Sequence, residues 1–492
     1  MGFLRPTLCR ALLTAALLPA AALAQDAQVT IQHGFPLAGG ELVLVVGGLA
    51  PGQDVALRLL DAVNAPISLI EELSASTSLQ FKLSIEDVRE PEPTMIASVW
   101  RADARGRILL EVSLDDAGDA DKSVQLEVIE LGGRRLAALE LRVQPPMLVL
   151  PTEQGLARLS LLDGRLLAPF IPAQGGLRGM ALSSDGLQGV VLRDGGLLQT
   201  LAARDWAGAP LTTRAFDPAT DVLAGGPAGA AFLLVRPGGQ PFPGAGNLLF
   251  PDEGALRLEP MAQAVAGRRV ALSPDGLTAF VAEDDLVVRE IDLLAREPRA
   301  LLPVGLPGDR AVADLLLDGR RLLVATRGAA GHGGSLTTLE LDTGLLSTLP
   351  LQVDPARLVA LGEGRVLVVP AAEGWVELLR DGVPFKRILA ACDVLDAAAS
   401  SGGGALLLTA MPDGRRALTR LQPLGGTLGL TTPQPLAVPV SRLVSAPAGM
   451  AGVVVLLGDP SGAVHVWRAD RGTLETVPGL QAQPDAAFSL LP

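Results

Sequence analysis

Short apolar runs that follow glycine-containing turns recur through most of the chain. Seven of them are "GVVL", "AFLLV", "TAFVA", "LLVAT", "VLVVP", "ALLLT" and "VVVLL". Unbroken apolar runs of this length are typical of strands buried on both faces. A partly alternating segment follows, as in "LTTLELD", where Leu339 and Leu341 alternate with Glu340 and Asp342. Such alternation is typical of a half-buried strand, and with a further apolar segment on each side the unit predicts four short strands.

The turn glycine that precedes each apolar run marks the repeat. The marker positions are Gly186, Gly229, Gly276, Gly319, Gly364, Gly404 and Gly449. Their successive spacings are 43, 47, 43, 45, 40 and 45, so the period is close to 44 residues. Four strands in a repeat of this length predict an all-β fold of the β-propeller class. Blades stacked face to face around an axis explain why the inner strands are apolar on both sides.

The ends of the repeat region predict how the ring closes. Residues 147–170 offer three strands before the first complete unit, and residues 485–491 offer one strand after the last. We expect the C-terminal strand to complete the first blade, so that residues 146–492 form a propeller. Seven complete units and this mixed blade predict eight blades. Seven blades is the alternative, if the unit at Gly229 or Gly404 is irregular.

The N-terminal part of the chain does not follow this period. Residues 25–143 contain seven or eight short strand-like segments separated by turns, among them "ELVLVVG", "DVALRLLDA" and "VQLEVIEL". This number of strands in so short a stretch predicts an immunoglobulin-like β-sandwich. The "VQPPM" segment at residues 143–147 is the expected linker, because paired prolines end a strand and are stiff.

The first 24 residues have the features of a secretory signal. Arg5 and Arg10 supply positive charge, "ALLTAALL" is a short apolar core, and Ala22 and Ala24 provide small residues at a cleavage site. We therefore expect export through a Sec-type signal to the periplasm or the extracellular space. No long apolar run follows, so no transmembrane span is expected.

The charge balance restricts the partners. The chain has 40 basic and 53 acidic residues, which gives a formal net charge of −13. Such a surface disfavours nucleic acid and anionic lipid, whose phosphates need a basic face. A protein or a small ligand remains as the partner.

One repeat resembles a known class of proteins. The segment "ALSPDGLTAFVAEDDLVVREIDL" at residues 271–293 is similar to the repeats of secreted bacterial propellers of the YVTN and TolB-like class, and "ALSSDGLQGV" at residues 181–190 is a weaker copy. The resemblance implies a propeller and leaves the activity open, because some propellers with this repeat are lactonases and others are binding modules.

Acidic residues recur just after the second strand of the predicted blades, which is where the loops face one end of the ring. They are Glu153, Asp194, Glu283, Glu373, Asp413 and Asp459. A nearby loop, "RGAAGHGG", adds Arg327 and His332 as further ligand-binding candidates. If the acids converge at the channel mouth, they form an acidic rim for which calcium is the natural cation. Ordinary turn chemistry is the alternative explanation of each acid.

These observations predict an exported binding or scaffold protein that has no catalytic activity. It is expected to use a propeller face to engage a protein, a cation or a polyhydroxylated ligand. A hydrolase of lactonase type, with its site at the channel mouth, is the alternative. No catalytic residues and no cofactor other than a possible calcium ion are predicted.

Overall fold

A computed structural model gives the fold of the protein. The structure describes residues 27–33, 41–61, 70–75, 98–114, 123–142, 144–152, 155–171, 177–182, 188–193, 197–202, 213–215, 221–225, 232–235, 248–252, 255–259, 269–273, 277–283, 286–293, 295, 297–329, 333–371, 373–400, 403–424, 427–445, 453–458, 462–468, 471–481 and 488–490. These residues form strands β1 to β40, joined by turns, and include no helix. The all-β prediction is therefore confirmed.

The first eight strands form two antiparallel sheets. Their bounds are β1 Gln28–His33, β2 Glu41–Gly47, β3 Asp54–Asp61, β4 Ile70–Ala75, β5 Ser98–Arg101, β6 Ile108–Leu114, β7 Ser123–Glu130 and β8 Arg135–Arg142. One sheet has the order β1-β2-β6-β4, and the other has the order β5-β3-β7-β8. Alternate residues of both sheets point into one shared core, including Leu44, Val46, Ile108 and Leu110 from one and Val55, Leu57, Leu126 and Val128 from the other. This arrangement is a β-sandwich, and its immunoglobulin-like character stays a prediction.

The remaining strands form a series of antiparallel meanders. Their bounds are β9 Met147–Thr152, β10 Gly155–Ser160, β11 Leu166–Ile171, β12 Leu177–Leu182, β13 Gln188–Arg193, β14 Leu197–Ala202, β15 Thr213–Ala215, β16 Asp221–Gly225, β17 Phe232–Val235, β18 Leu248–Asp252, β19 Ala255–Glu259, β20 Arg269–Leu272, β21 Thr278–Ala282, β22 Val287–Asp292, β23 Glu297–Pro303, β24 Ala311–Asp318, β25 Arg321–Arg327, β26 Ser335–Glu340 and β27 Leu345–Pro350. The series continues with β28 Pro355–Gly362, β29 Arg365–Pro370, β30 Glu373–Arg380, β31 Val383–Ser400, β32 Gly404–Ala410, β33 Arg416–Leu424, β34 Thr427–Leu430, β35 Gln434–Pro435, β36 Val440–Ser445, β37 Val453–Gly458, β38 Ala463–Arg468, β39 Thr473–Gln481 and β40 Phe488–Leu490.

The order of these strands is that of propeller blades. Four sheets run β12 to β15, β16 to β19, β20 to β23 and β24 to β27, and another runs β36 to β39. The first strands of neighbouring sheets contact one another in order, β12 with β16, β16 with β20, β20 with β24, β24 with β28 and the end of β31 with β36. These first strands are therefore the innermost ones and surround a central channel, as in a propeller.

The inner strands bury opposite faces against different neighbours. In β29, Val366 and Val368 pack on the β24–β27 sheet, whereas Leu367 and Val369 pack on the far half of their own sheet, formed by the end of β31 and β32 to β34. Successive side chains of a strand point to opposite faces, so a strand between two sheets has to be apolar at every position. This packing explains the unbroken apolar runs of the sequence.

Strand β31 takes part in two successive meanders of one sheet. Its first half pairs with β30 as the outermost strand of one meander, and its second half pairs with β32 as the innermost strand of the next. The two halves join β28–β34 into one continuous sheet, to which the short β35 adds by pairing with β33.

The C-terminal strand pairs with the first strand of the repeat region. Residues Phe488, Ser489 and Leu490 of β40 lie opposite Val149, Leu148 and Met147 of β9, which gives the sheet order β11-β10-β9-β40. This sheet in turn packs on the β36–β39 sheet through a common core that includes Leu148, Leu150, Val455 and Val466. The number of blades and the domain boundaries stay predictions.

Within the described ranges, no helix is long and apolar enough to cross a membrane.

Candidate functional site

One charged residue occupies a corresponding place near the start of five successive innermost strands. In the antiparallel pairing, Arg269, Asp314, Arg357, Asp396 and Arg442 lie opposite Ala282, Ala325, Val369, Leu408 and Leu457, respectively. These partners are at or near the ends of the second strands. The five charged residues therefore lie close to one mouth of the channel, at the end where the second strands turn back, and we call them the charged belt.

The two carboxylates of the belt fasten neighbouring innermost strands together. One carboxylate oxygen of Asp314 on β24 accepts a hydrogen bond from the backbone N–H of Leu358 on β28 at 2.9 Å. Asp396 on β31 repeats this contact with the backbone N–H of Leu443 on β36 at 2.7 Å. Each bond joins residues of adjacent sheets, so the carboxylates help to set the positions of the innermost strands.

The arginines of the belt reach the same carboxylates from the preceding strands. Arg357 donates from Nη1 to Asp396 Oδ1 at 2.8 Å. The Nε of Arg269 donates to the carbonyl oxygen of Ala313 at 3.3 Å and lies 3.9 Å from Asp314 Oδ1. The belt therefore alternates arginine and aspartate from β20 to β31.

The charged side chains of the belt differ in their exposure to solvent. The side chains of Arg269 and Arg357 are 53% and 39% exposed, whereas those of Asp314 and Asp396 are only 20% and 10% exposed. The carboxylates are turned toward backbone donors, and the guanidinium groups remain accessible. The charge that the belt presents at the channel mouth is therefore mainly positive.

Burial changes the titration of the belt. It raises the pKa of the Asp314 carboxyl above its usual 3.8, and the Leu358 N–H and the guanidiniums of Arg269 and Arg357 act in the opposite direction. The folded protein thus holds this proton more tightly than the unfolded chain does. The contribution of Asp314 to stability is fully present below its unfolded pKa and is lost as the pH rises through the raised pKa.

We predict that Asp314→Asn becomes more favourable, relative to the original protein, as the pH rises from acid to neutral. The asparagine keeps an oxygen for the Leu358 N–H and removes the buried charge. Urea unfolding at a series of pH values measures this difference.

Asp413→Asn is the control for this titration, because its slope has the opposite sign. The backbone N–H of Arg415 is the first cause that lowers the pKa of Asp413, followed by the Arg415 side chain. The contribution of Asp413 is therefore present at neutral pH and lost as the pH falls. Parallel pH profiles for the two variants would contradict the assignment of Asp314 as a buried carboxylate.

A third carboxylate, that of Asp309, holds the loops at this end of the propeller. Asp309, in the loop before β24, accepts hydrogen bonds at Oδ2 from the Leu306 N–H at 2.7 Å, the Thr326 hydroxyl at 2.7 Å and the Ser335 hydroxyl at 2.6 Å. Thr326 and Ser335 are fully buried. Asp309 therefore ties the loop to β25 and β26, on either side of the following turn.

A close backbone contact adds to this fastening. A Cβ atom on Gly334 would lie 1.8 Å from the carbonyl oxygen of Thr326, so only glycine fits where the chain enters β26. The backbone N–H of Gly328 donates to Asp354 Oδ1 at 3.1 Å, which connects the turn to the loop before β28. The described loops are thus joined to one another by hydrogen bonds.

The structure places some of the predicted site residues in local contacts. Glu283 forms an ion pair with Arg289 across the β21–β22 hairpin, in which Nη2 lies 3.2 Å from Oε2. Glu373 Oε1 accepts a hydrogen bond from the Asp354 N–H at 3.2 Å. Asp413 pairs with Arg415, which lies two residues along the chain.

The remaining predicted residues are only partly within the described part of the chain. Arg327 is exposed at the end of β25, and its carbonyl oxygen accepts a hydrogen bond from the Arg310 N–H at 2.8 Å. Glu153, Asp194, His332 and Asp459 lie outside the described residues. Among the residues that are described, no three His, Cys, Asp or Glu side chains come together as metal ligands. The acidic rim and its calcium ion stay predictions.

A sequence signal for the charged belt exists but was missed. The five belt residues are spaced by 45, 43, 39 and 46 residues, which is the period of the glycine markers. A charged residue that repeats with this period, at a corresponding place in the first strands of five successive units, indicates a row of charges along one mouth of the channel.

Known proteins resemble this chain only at the level of structure. No protein-family model matches the chain, and no curated protein matches it. One similar structure is the crystal structure of BamB from Moraxella catarrhalis, with 16% identity, 65% of this chain and 95% of that chain covered, and a TM-score of 0.44.

Two further structures show comparable similarity. Dihydro-heme d1 dehydrogenase NirN in complex with DHE has 19% identity over 70% of this chain and 74% of that chain, with a TM-score of 0.49. Apo AztD from Citrobacter koseri has 14% identity over 70% of this chain and 98% of that chain, with a TM-score of 0.46. At these identities the similarity concerns the fold alone.

Proposed function

We propose that this protein is an exported binding protein, without catalytic activity, that holds an anionic group of its partner at the charged belt. The observation that carries the proposal is the unequal exposure of the belt charges. Guanidinium groups reach solvent at the channel mouth, whereas the carboxylates are occupied by backbone N–H groups and by the arginines. Export is inferred from the signal-like N-terminal segment.

The chemistry of arginine supports an anionic ligand. A guanidinium group offers several N–H donors in a planar fork that matches a carboxylate or phosphate, and it keeps its charge at all physiological pH values. The overall net charge is −13, so other parts of the protein repel an anionic ligand. A local positive surface is therefore the favoured place for such a ligand to bind.

Rigid surroundings support a binding role. The hydrogen bonds of Asp309 and Asp354 fix the loops beside the belt before any ligand arrives. A site that is already ordered loses little conformational entropy on binding, so few contacts are sufficient for a useful affinity.

Citrate is a suitable probe for the proposal, because it carries several carboxylates. We predict that citrate raises the melting temperature of the protein and gives a measurable heat of binding by calorimetry. Arg357→Gln removes one guanidinium and is expected to weaken citrate binding by at least about tenfold, in line with the loss of a charge-assisted hydrogen bond.

Two further variants show whether a change in citrate binding is specific to Arg357. Arg415→Gln is the matched control, because Arg415 is 59% exposed and also pairs with an aspartate, but lies outside the belt. Arg357→Lys keeps the charge beside Asp396 and loses only the planar fork, so it separates ligand binding from a change in stability. Unchanged citrate binding in Arg357→Gln contradicts the proposal. If calcium raises the melting temperature and citrate does not, the result favours the acidic rim that the sequence predicts.

A further inference from the structure

Four of the five residues of the charged belt follow an irregularity in their innermost strand. The pairing of β24 with β25 shifts register just before Asp314, so that Ala313 has no partner on β25. The same kind of shift precedes Arg357 in β28, Asp396 in β31 and Arg442 in β36. Such β-bulges are over-represented next to active sites, where they change the direction of a side chain. These belt residues therefore share a backbone feature as well as a position.

The contact between Arg269 and Asp314 is looser than the contact between Arg357 and Asp396. Arg357 Nη1 donates to Asp396 Oδ1 at 2.8 Å, whereas Arg269 Nε lies 3.9 Å from Asp314 Oδ1. Arg269 Nε donates to the carbonyl oxygen of Ala313, the unpaired residue of the bulge, at 3.3 Å. The bulge therefore holds the Arg269 guanidinium within range of the Asp314 charge, and the side chain of Arg269 is still 53% exposed.

One oxygen of Asp314 can take up a proton without loss of the contact between strands. Oδ2 accepts the Leu358 N–H at 2.9 Å, and Oδ1 faces Arg269. A proton on Oδ1 leaves the hydrogen bond from Leu358 in place and removes the negative charge beside the guanidinium. Because burial raises the pKa of this carboxyl above 3.8, the change takes place closer to neutral pH than in an ordinary exposed aspartate.

The other charged groups around Asp314 are two arginines and several carboxylates that are bonded elsewhere. Arg269 on β20 and Arg357 on β28 both act on the Asp314 charge, and an arginine stays charged at every physiological pH. In the described loops before β24 and β28, Asp309 and Asp354 accept hydroxyl and backbone N–H groups. The second carboxylate of the belt is bonded to Arg357. Asp314 is therefore a carboxylate whose charge acts on both arginines.

We propose that protonation of Asp314 controls the affinity of the charged belt for its anionic ligand. The ionised carboxylate competes with the ligand for Arg269, and the protonated carboxyl leaves this arginine to the ligand. The inference rests on the proposed function and adds the regulation of that site by pH. Proton binding and ligand binding are linked, so each favours the other by the same factor. The ligand is therefore bound more tightly as the pH falls, and it is released as the pH rises again.

Sulfate tests this coupling on the full-length protein, because it stays fully ionised from neutral to mildly acid pH. We expect calorimetry to show at least about tenfold tighter sulfate binding at about pH 4.5 than at about pH 7. Sulfate binding is also expected to take up protons, which makes the heat of binding depend on the ionisation enthalpy of the buffer. Thermal melts at each pH are expected to confirm that the protein stays folded.

Asp314→Asn separates the effect of this carboxyl from the effects of the other acids. The asparagine keeps an acceptor for the Leu358 N–H and carries no charge at any pH. We expect this variant to bind sulfate at about pH 7 at least about fivefold more tightly than the original protein does. Its affinity should also change less with pH, and it should take up fewer protons on binding.

Asp342→Asn is the matched control, because it removes one negative charge far from the belt. Asp342 is 50% exposed and pairs with Arg320 at 2.6 Å. It lies in the turn between β26 and β27, at the opposite end of β26 from the channel mouth. This variant is expected to keep the pH dependence of the original protein.

The results distinguish this inference from the function on which it rests. If the original protein binds no sulfate at either pH, both are contradicted. If binding is equally tight at both pH values, or changes with pH to the same extent in Asp314→Asn and in the original protein, control by Asp314 is overturned and the anion site remains. If Asp314→Asn does not fold, the proton uptake of the original protein decides, and its absence on sulfate binding overturns the inference.

Discussion

Removal of residues 485–492 is expected to lower the free energy of unfolding by about 4 kcal/mol, the size of a serious core lesion. Strand β40 within this segment covers one edge of β9 through the pairs Phe488–Val149 and Leu490–Met147. The side chains of Met147, Leu148 and Val149 are fully buried. Truncation exposes them together with a row of unpaired backbone groups, and such an edge also favours aggregation.

Urea unfolding measures this loss. A shorter truncation that removes only residues 491 and 492 is the matched control, since it leaves β40 in place. An equal unfolding midpoint for the long truncation and the control would contradict closure of the ring by the C-terminal strand.

Asp309→Ala is expected to lower the free energy of unfolding by about 2–4 kcal/mol, because buried donors lose a charged acceptor. The substitution removes the acceptor that Thr326, Ser335 and the Leu306 N–H share. The two hydroxyl groups are buried and lie 2.7 Å apart, so they can still bond to each other but lose their common acceptor. A buried polar group that loses its partner costs about 1–3 kcal/mol, and more when the partner is charged.

The contribution of the charge can be separated from that of the hydroxyl groups. Asp309→Asn keeps an acceptor oxygen and should lose less stability than Asp309→Ala, and Ser335→Ala removes one of the three donors. Equal stability of the original protein and Asp309→Ala would show that the carboxylate does not fasten the loop. Thermal melts of the same variants provide an independent check.

The propeller could be predicted from the sequence because its packing leaves a direct signal. "VLVVP" is apolar throughout because Val366 and Leu367 point into different cores. The short strand-like segments of the N-terminal part, such as "ELVLVVG", likewise predicted a sandwich, and in the structure Leu44 and Val46 of this segment point into its core. Both signals arise from the alternation of side chains along a strand, which depends only on local geometry.

The contacts of the site could not be predicted in the same way. Asp314 and Leu358 are 44 residues apart in the chain, and they meet only when two complete sheets pack side by side. The repeat of charged residues was visible, but their pairing depends on which sheet neighbours which and on the register between innermost strands.

For the acidic residues that follow the second strands, one of the observed contacts could have been predicted from the sequence. Glu283 was one member of a recurring acidic pattern, and its partner Arg289 lies just across the next turn. A hairpin brings such residues together, so the local pairing was available from the sequence once the hairpin was assigned. Glu373 belongs to the same acidic pattern, but it accepts a hydrogen bond from the Asp354 N–H. This contact is visible only in the structure.

The most direct test of the charged belt is to locate a bound anion by diffraction. Crystals of the full-length protein soaked in selenate are expected to show an anomalous selenium peak at the channel mouth, in contact with the guanidinium of Arg357 and with another belt arginine. Crystals of Arg357→Gln treated in the same way should lose this peak. Selenate bound only on the outer surface of the propeller, with none at the belt, would contradict the account.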